Sequence, residues 1–259
     1  MMKYSGYDSI LVLLLLIQLA VLVTPFFLSL SLPVLIFIIL LNVFLMGTNY
    51  QCIAHNFIHL PFFKSATFNS IFSMLNSIGL GVPQSIYRLH HLNHHRFNNR
   101  PDGDMSSTYR FGKNNQEENI FSYSLLGIVR TDLTGLYRKA SKDSRLPLLE
   151  TLALFIFLAA FSYLNWKLFL LYLVPSYLGG QFFAVWENYC EHHFANPNDR
   201  LRDSVSCYNA FYNFIWFNNG YHQEHHYSPQ VHWLQVPKVR EQLPPDRVIV
   251  KGCHLTNSF

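Results

Sequence analysis

The chain has 259 residues, 50% hydrophobic and 16% aromatic, with only 13% charged and a formal net charge of +4. That charged share is about half that of an ordinary soluble domain, which argues against a soluble globular protein and for a membrane one. The small positive balance comes without a basic stripe interleaved with stacking aromatics, so no nucleic acid partner is expected.

No charge occurs between Asp8 and Lys64, and Lys167 alone interrupts 151–186. Each stretch can cross a bilayer twice, since one crossing takes ~20 residues at ~1.5 Å rise. The sequence predicts an all-α integral membrane fold with four transmembrane helices in two hairpins, at about 10–30, 32–48, 148–163 and 168–186. A cytoplasmic helical cap, 49–147 and 187–259, completes a single domain and holds a di-metal site. Pro25 either kinks the first helix or forms the turn, and Ser31 with Pro33 suits the start of the second. Pro175, Gly179 and Gly180 predict a bend in the fourth. A secretory signal peptide competes at the N-terminus, with Lys3 ahead of the apolar run 10–23. No small-residue cleavage pattern follows and a second apolar segment arrives at once, so a retained helix is expected.

Between the hairpins, 66–86 is too polar for a span and reads as an interfacial or re-entrant piece near a substrate entrance. The stretch 97–119 reads as a loop around Pro101, Asp102 and Gly103. Later, 204–217 reads as another interfacial helix, with Tyr208, Phe211, Tyr212 and Phe214 facing lipid or the core. Lysines and arginines gather between Arg88 and Arg145 and again from Arg200 onward, whereas the short far-side turns hold only Lys167. The positive-inside rule then puts both termini and the cap in the cytoplasm of a multi-pass protein. Cys52, Cys190, Cys207 and Cys253 form no CxxC pair and are expected to be free thiols.

Of 13 histidines, all but His232 and His254 fall in four clusters. These are His55 and His59 in HNFIH; His90, His91, His94 and His95 in HHLNHH; His192 and His193 in NYCEHH; and His222, His225 and His226 in HQEHH. Residues three or four apart share a helix face, so each cluster presents imidazoles together, and Asn188 lies one turn from His192. All four clusters sit at or beyond the cytoplasmic ends of the spans, unlike the midplane polar groups of an ion pathway. Nine imidazoles, those of His55, His59, His91, His94, His95, His192, His222, His225 and His226, exceed what one ion takes, so two metals are expected. Imidazole suits zinc, copper, iron or nickel alike, while the zinc-protease HExxH and the Glu-x-x-His of carboxylate-bridged di-iron bundles are both missing.

HNFIH as HxxxH, HLNHH as HxxHH, NYCEH as NxxxH and HQEHH as HxxHH, in that order around two apolar hairpins, resemble the membrane-bound histidine-box di-iron fatty acid desaturases and their hydroxylase relatives. The resemblance runs over about 10–237. The stretch NNGYHQEHHYSPQVHWLQVP is also similar to carotenoid ketolases and bacterial desaturase-like proteins, and NYCEHHF to alkane hydroxylases. Membership implies two iron ions, O2 as co-substrate, and iron ligation by His55, His59, His91, His94, His95, His192, His222, His225 and His226, with Asn188 next to one iron. HNFIH has three residues between its histidines where some desaturase groups have four. His90 is an alternative to His91, which has the HxxHH spacing, and His193 is treated as a neighbour.

The leading expectation is a desaturase that introduces a double bond into a fatty-acyl or lipid acyl chain drawn from the bilayer. Its electrons would come from an external ferredoxin or cytochrome b5-type donor that docks on basic residues of the cap. A hydroxylase or ketolase of alkanes or carotenoids is the alternative on the same scaffold; from another class comes a non-catalytic metal transporter or sensor. Glu187, Glu191, Glu224, Asp102 and Asp104 stand near enough to accept the outer N–H of ligating imidazoles. Cys52 and Cys190 read as buried apolar thiols, His232 with Trp233 as a headgroup-level pair, and His254 as a histidine without a functional role.

Overall fold

In a computed structural model of the chain, residues 2–114 and 116–257 are described. Helices dominate: α1 (Asp8–Val23), α2 (Leu32–Thr48), α3 (His55–His59), α4 (Ala66–Leu80), α5 (Gln84–Phe97), α6 (Ile120–Arg130), α7 (Leu133–Ala140), α8 (Leu146–Leu164), α9 (Trp166–Leu168) and α10 (Val174–His192). After these come the strand β1 (Ser206–Cys207), α11 (Ala210–Ile215), α12 (His222–Tyr227) and the strand β2 (Ile249–Val250). Four helical runs are long and apolar enough to cross a membrane: Asp8–Phe26, Leu32–His59, Leu146–Leu164 and Trp166–His192. The chain forms two compact units, one of residues up to Leu89 with Asp132–Ala184, the other of His90–Thr131 with Val185 onward.

In the first unit, the second apolar run does not stop at Thr48 as expected. A π-helical turn, Asn49–Ala54, carries it on to His59. The polar residues that follow Thr48 are buried and bonded: Asn49 Nδ2 donates to Gln18 Oε1 (2.7 Å) and Asn76 Oδ1 (2.8 Å), and Gln51 Nε2 donates to the Ala184 carbonyl (3.2 Å). A second π turn, Phe169–Leu173, precedes Pro175. Proline cannot supply the regular backbone bond and clashes with the carbonyl four residues back, and a widened turn accommodates both effects. Pro25 sits in a short 3-10 turn, Thr24–Phe26, that closes the first run.

Gly179 and Gly180 allow close helix approach. A Cβ on Gly179 would stand 2.7 Å from Val43 Cγ2, and one on Gly180 would stand 2.3 Å from Met46 Sδ. Small residues at such crossings replace the hydrophobic drive that lipid does not supply. Around the crossing, Leu22, Met46, Tyr50, Leu80, Tyr172, Leu173 and Tyr177 form a buried cluster. Its polar atoms are joined: Asn42 Nδ2 donates to Tyr172 OH (2.7 Å), which reaches the Leu22 carbonyl at 3.0 Å. The piece expected to be interfacial is α4, capped by Ser65 and ended by Gly81 at φ 72°. It packs on α8 through the buried Glu150, which accepts from Ser73 Oγ (2.5 Å), Ser85 N (2.9 Å) and Ser85 Oγ (2.9 Å).

In the second unit, Asn98 and Asn99 take positive φ (48° and 61°) and reverse the chain after α5. Asparagine tolerates that left-handed region better than most residues. Asn93 then pins the loop, accepting from Met105 N (2.9 Å) and donating to the Gly103 carbonyl (3.1 Å). The all-α expectation needs one correction: β1 and β2 pair in parallel, Ser206 opposite Ile249 and Cys207 opposite Val250. Two-residue strands carry too little alternation to be seen in sequence. The expected helix over 204–217 is only the six residues of α11, with Phe211 and Phe214 exposed but Tyr212 turned inward. Trp233 is also buried, edge-on to Phe217 at 5.5 Å, so the headgroup reading of His232 and Trp233 does not hold for the tryptophan. All four cysteines are free thiols.

Candidate metal centre

Consecutive residues on an α-helix point about 100° apart, and this step divides the histidines of the second unit into two sets. On α5, His91 and His95 share one face, their Nε2 atoms 3.0 Å apart, while His94 turns toward His192 and His226, with ring centroids at 4.6 and 4.8 Å. On α12 the same division recurs: His225 Nε2 lies 3.1 Å from His95 Nε2, and His222 Nε2 lies 3.2 Å from His192 Nε2. One set is therefore His91, His95 and His225. The other is His94, His192, His222 and His226, all buried, each offering a ring nitrogen within 4.8 Å of the others. In the first unit, His55 and His59 at the end of the second apolar run have ring centroids 5.3 Å apart.

These sets suit metal ions. Two imidazole nitrogens with lone pairs facing at 3.0–3.2 Å repel unless a proton or a cation lies between them. Nitrogens about 2.1 Å from one ion stand ~3.0 Å apart at a right angle and ~3.4 Å apart in a tetrahedron. The observed edges fall within that range. His94 Nε2 and both ring nitrogens of His226 are buried with no hydrogen-bond partner among the described residues, a costly state for polar atoms that a bound cation relieves.

Outer contacts fix the rings. His94 Nδ1 donates to Asp104 Oδ2 at 2.7 Å, leaving Nε2 as the lone-pair nitrogen. Asp104 also accepts from Asn99 N (2.7 Å), Ser106 N (2.8 Å) and Ser106 Oγ (2.9 Å). Burial alone would raise the Asp104 carboxyl, but the His94 charge and these donors hold it well below the usual carboxylate range. Burial alone would likewise lower His94, and the Asp104 carboxylate reverses that, so His94 stays above the ordinary imidazole value. His226 is driven well below its ordinary value, first by burial and then by His222, His94, His192 and His225. His192 Nδ1 donates to the backbone carbonyl of Asp203 at 2.9 Å. The Asp203 side chain, pushed up to about 7 by burial, stands 3.7 Å from His226 Nδ1.

Of the acidic residues expected beside the histidines, Asp104 meets that role and Glu191 lies 3.7 Å from His222. The others do not. Glu224 serves as an anchor of α12, accepting from Ser206 Oγ (2.6 Å) and Tyr208 OH (2.5 Å), with Arg247 at 3.4 Å. Glu187 accepts from Tyr212 OH (3.1 Å), and Asp102 is exposed. His193 faces Glu117, consistent with a neighbour rather than a member of either set. Asn188 donates Nδ2 to Tyr123 OH (2.6 Å), and that hydroxyl donates to the Ser106 carbonyl (2.6 Å), behind Asp104. His254, expected to have no functional role, is fully buried, with Nδ1 3.2 Å from Tyr212 OH. Asp203, Tyr123 and Tyr212 were not foreseen, because each acts through a backbone atom or across a long loop, with no spacing signal.

The family model for fatty acid desaturase matches residues 29–249. This chain belongs to the fatty acid desaturase family. Among curated proteins it is similar to a sphingolipid delta(4)-desaturase DES1-like protein of Oryza sativa subsp. japonica, 26% identical over 196 residues, covering 73% of this chain and 58% of the relative. It is also similar to one of the same description from Arabidopsis thaliana, at 23% over 193 residues (72% and 57%). A third relative, the sphingolipid delta(4)-desaturase of Candida albicans, is 23% identical over 207 residues (72% and 56%). The chain thus spans less than two thirds of the length of these relatives. No solved structure matches it.

Proposed function

We propose that this chain is an oxygen-dependent lipid desaturase that introduces a double bond into an acyl or related hydrocarbon chain, using two iron ions. The observation that carries the reading is the division of each HxxHH box between two imidazole sets, since one helix then serves two ions at once. His94, His192, His222 and His226 hold one iron in this proposal. His91, His95 and His225 hold the other, His55 and His59 of the first unit are further iron ligands, and Asn188 lies next to one of the irons. Family membership supports iron over zinc.

Bound iron, reduced and exposed to O2, supplies the oxidising power to take hydrogen from an unactivated C–H bond. The protein's own residues set the conditions. Asp104 and the Asp203 carbonyl hold His94 and His192 in one tautomer, and burial of the four-histidine set excludes water that would otherwise quench the oxidant. Removing two hydrogens while reducing O2 to two waters needs two further electrons and two protons. No histidine, tyrosine or carboxylate here is a two-electron reductant, so a ferredoxin or cytochrome b5-type donor supplies them. The exposed Arg96, Arg100 and Arg110 are docking points for its acidic surface.

In the same proposal, the four apolar runs form two hairpins of a single membrane domain. Both termini and the metal centre lie on the cytoplasmic side, because the basic residues gather there. The printed names of the relatives make sphingolipids the first substrate class to examine. Lipid profiles of cells that express the wild type or His225→Ala test the reading. Wild-type cells should accumulate species two hydrogens lighter that H225A cells do not. Identical profiles would refute desaturation, and a gain of one oxygen in place of the lost hydrogens would favour the hydroxylase.

A further inference from the structure

Helix α6 of the second unit has two apolar faces, and the chain covers only one of them. Ile120 and Tyr123 are buried against Tyr189 and Cys190 of α10, with Val185 and Trp186 packed on the same cluster. A Cβ on Gly127 would stand 3.0 Å from Val185 Cγ1, so the two helices lie close together. At about 100° per residue, Phe121, Leu125, Leu126 and Val129 fall on the opposite side, and they are between 41% and 76% exposed. No charge occurs between Glu118 and Arg130. Those two are turned onto each other, Arg130 Nη1 donating to both Glu118 oxygens at 2.7 Å. A helix apolar all round belongs in apolar surroundings on both sides, and four large apolar side chains on one open face mark a contact surface.

The covered face indicates what meets the other. Val185, Trp186, Tyr189 and Cys190 lie near the end of the apolar run Trp166–His192, which has 27 residues. At ~1.5 Å per residue such a run is about 40 Å long, roughly 10 Å more than the ~30 Å hydrocarbon core. Glu187, Asn188, Glu191 and His192 gather at this end, so the excess falls here. That puts Trp186 at the lipid headgroups, where tryptophan is favoured, and α6 beside it. With 11 residues, α6 is about 16 Å long and too short to cross a bilayer. Two other occupants fit less well. A face of that length and about 10 Å width offers roughly 200 Å², against ~800 Å² per partner in a stable dimer. An electron donor that docks by charge finds none on this face.

We propose that the outer face of α6 is a lipid-contact surface, seated in the headgroup–acyl boundary of the leaflet at the His192 end of α10. The proposal rests on reading the apolar runs as membrane spans and needs no particular reaction. On its inner face, Tyr123 OH donates to the Ser106 carbonyl at 2.6 Å. The helix that rests on lipid therefore also braces the loop that carries Asp104, the partner of His94.

Nitroxide labels test it. In a Cys253→Ser background, whose remaining thiols Cys52, Cys190 and Cys207 are buried, the single substitutions L125C, V129C, L13C and E241C each supply one labelling site. Leu13 is exposed within the apolar run Asp8–Phe26, and Glu241 is exposed in the second unit. The full-length chain enters vesicles of phosphatidylcholine with a minor share of phosphatidylserine. Electron paramagnetic resonance then compares collisions of each label with oxygen, which concentrates in lipid, and with a water-soluble nickel chelate. The L125C and V129C labels should favour oxygen several-fold more than the E241C label does, at a depth of about 5–10 Å, and less strongly than the L13C label. Nickel access at L125C and V129C equal to that at E241C puts the face in water and overturns the proposal. So does shielding from both reagents, which means that protein covers the face, and so does broadening of the L125C signal by the label of a second copy. If L125C does not fold, V129C decides by the same comparison. A nickel-accessible L13C label refutes the membrane reading and this inference together. Lipid-embedded α6 labels on a protein that makes no new double bond refute the desaturase activity alone and leave the inference standing.

Discussion

Replacing Asp104 with asparagine tests the link between an outer contact and the metal centre. The carboxylate is 1% exposed and takes four hydrogen bonds, two on each oxygen: His94 Nδ1 and Asn99 N on Oδ2, Ser106 N and Ser106 Oγ on Oδ1. An asparagine of the same shape must put its NH2 at one of these positions. If the amide oxygen stays toward His94, the NH2 meets the Ser106 N–H donor at 2.8 Å. The reverse orientation faces a donor against the His94 ring. Either way one buried pair is lost together with the charge, a cost of about 1.5–3 kcal/mol. Metal affinity should fall by roughly 10–100-fold. The assay is iron per chain after dialysis against graded chelator, with thermal unfolding of the metal-free protein alongside.

The metal-free protein adds a pH signature. Asp104 is depressed on folding, so its contribution is full above the ordinary carboxylate value of ~3.9 and is lost as pH falls through its lower folded value. His94 is raised, so its contribution is full below ~6.5 and is lost as pH rises through its higher folded value. The stability difference between wild type and D104N should therefore be largest between those two ordinary values and shrink on both sides. Equal chelator resistance of the two proteins, or a difference that does not vary with pH, would refute the assignment of Asp104 as the partner that sets the His94 tautomer.

Three further substitutions probe the scaffold. Arg247→Met removes the cation 3.4 Å from Glu224, together with donors to Tyr208 OH at 2.6 and 3.0 Å. It should cost about 3 kcal/mol because the buried carboxylate on α12 stays behind, and an unchanged melting temperature would count against the anchor. Tyr172→Phe leaves Asn42 without its acceptor and removes the hydroxyl from the Leu22 carbonyl. The expected loss is about 1 kcal/mol, read by denaturant titration in detergent. Gly180→Val places a branched side chain where a Cβ already stands 2.7 Å from Met46 Cβ. Overpacking of this kind costs about 1–3 kcal/mol and should lower the yield of monodisperse protein, whereas G6V, where nothing lies within 4 Å, should not.

What could be read in the sequence is what repeats at helical period. The apolar runs and the HxxHH boxes each make one pattern within a dozen or so residues, and the four spans and both HxxHH clusters lie where that pattern puts them. The ends of the spans were harder. Asn49 and Gln51 look like the edge of a membrane segment, and only their partners Gln18, Asn76 and the Ala184 carbonyl explain their presence within a helix. The π turn Phe169–Leu173 leaves no trace among residues that are apolar on every side. Asp203 reaches the four-histidine set through its backbone carbonyl, a contact between distant segments for which one sequence has no spacing rule.

The division of the His94–His95 and His225–His226 dipeptides between two sets also limits how the protein can change. Neighbouring side chains on α5 and on α12 belong to different imidazole sets, so any slide, tilt or unwinding of either helix disturbs both sets at once. Selection cannot loosen one set through the shared backbone while sparing the other. Independent adjustment is left to groups touching a single ring, such as Asp104 at His94 and the carbonyl of residue 203 at His192.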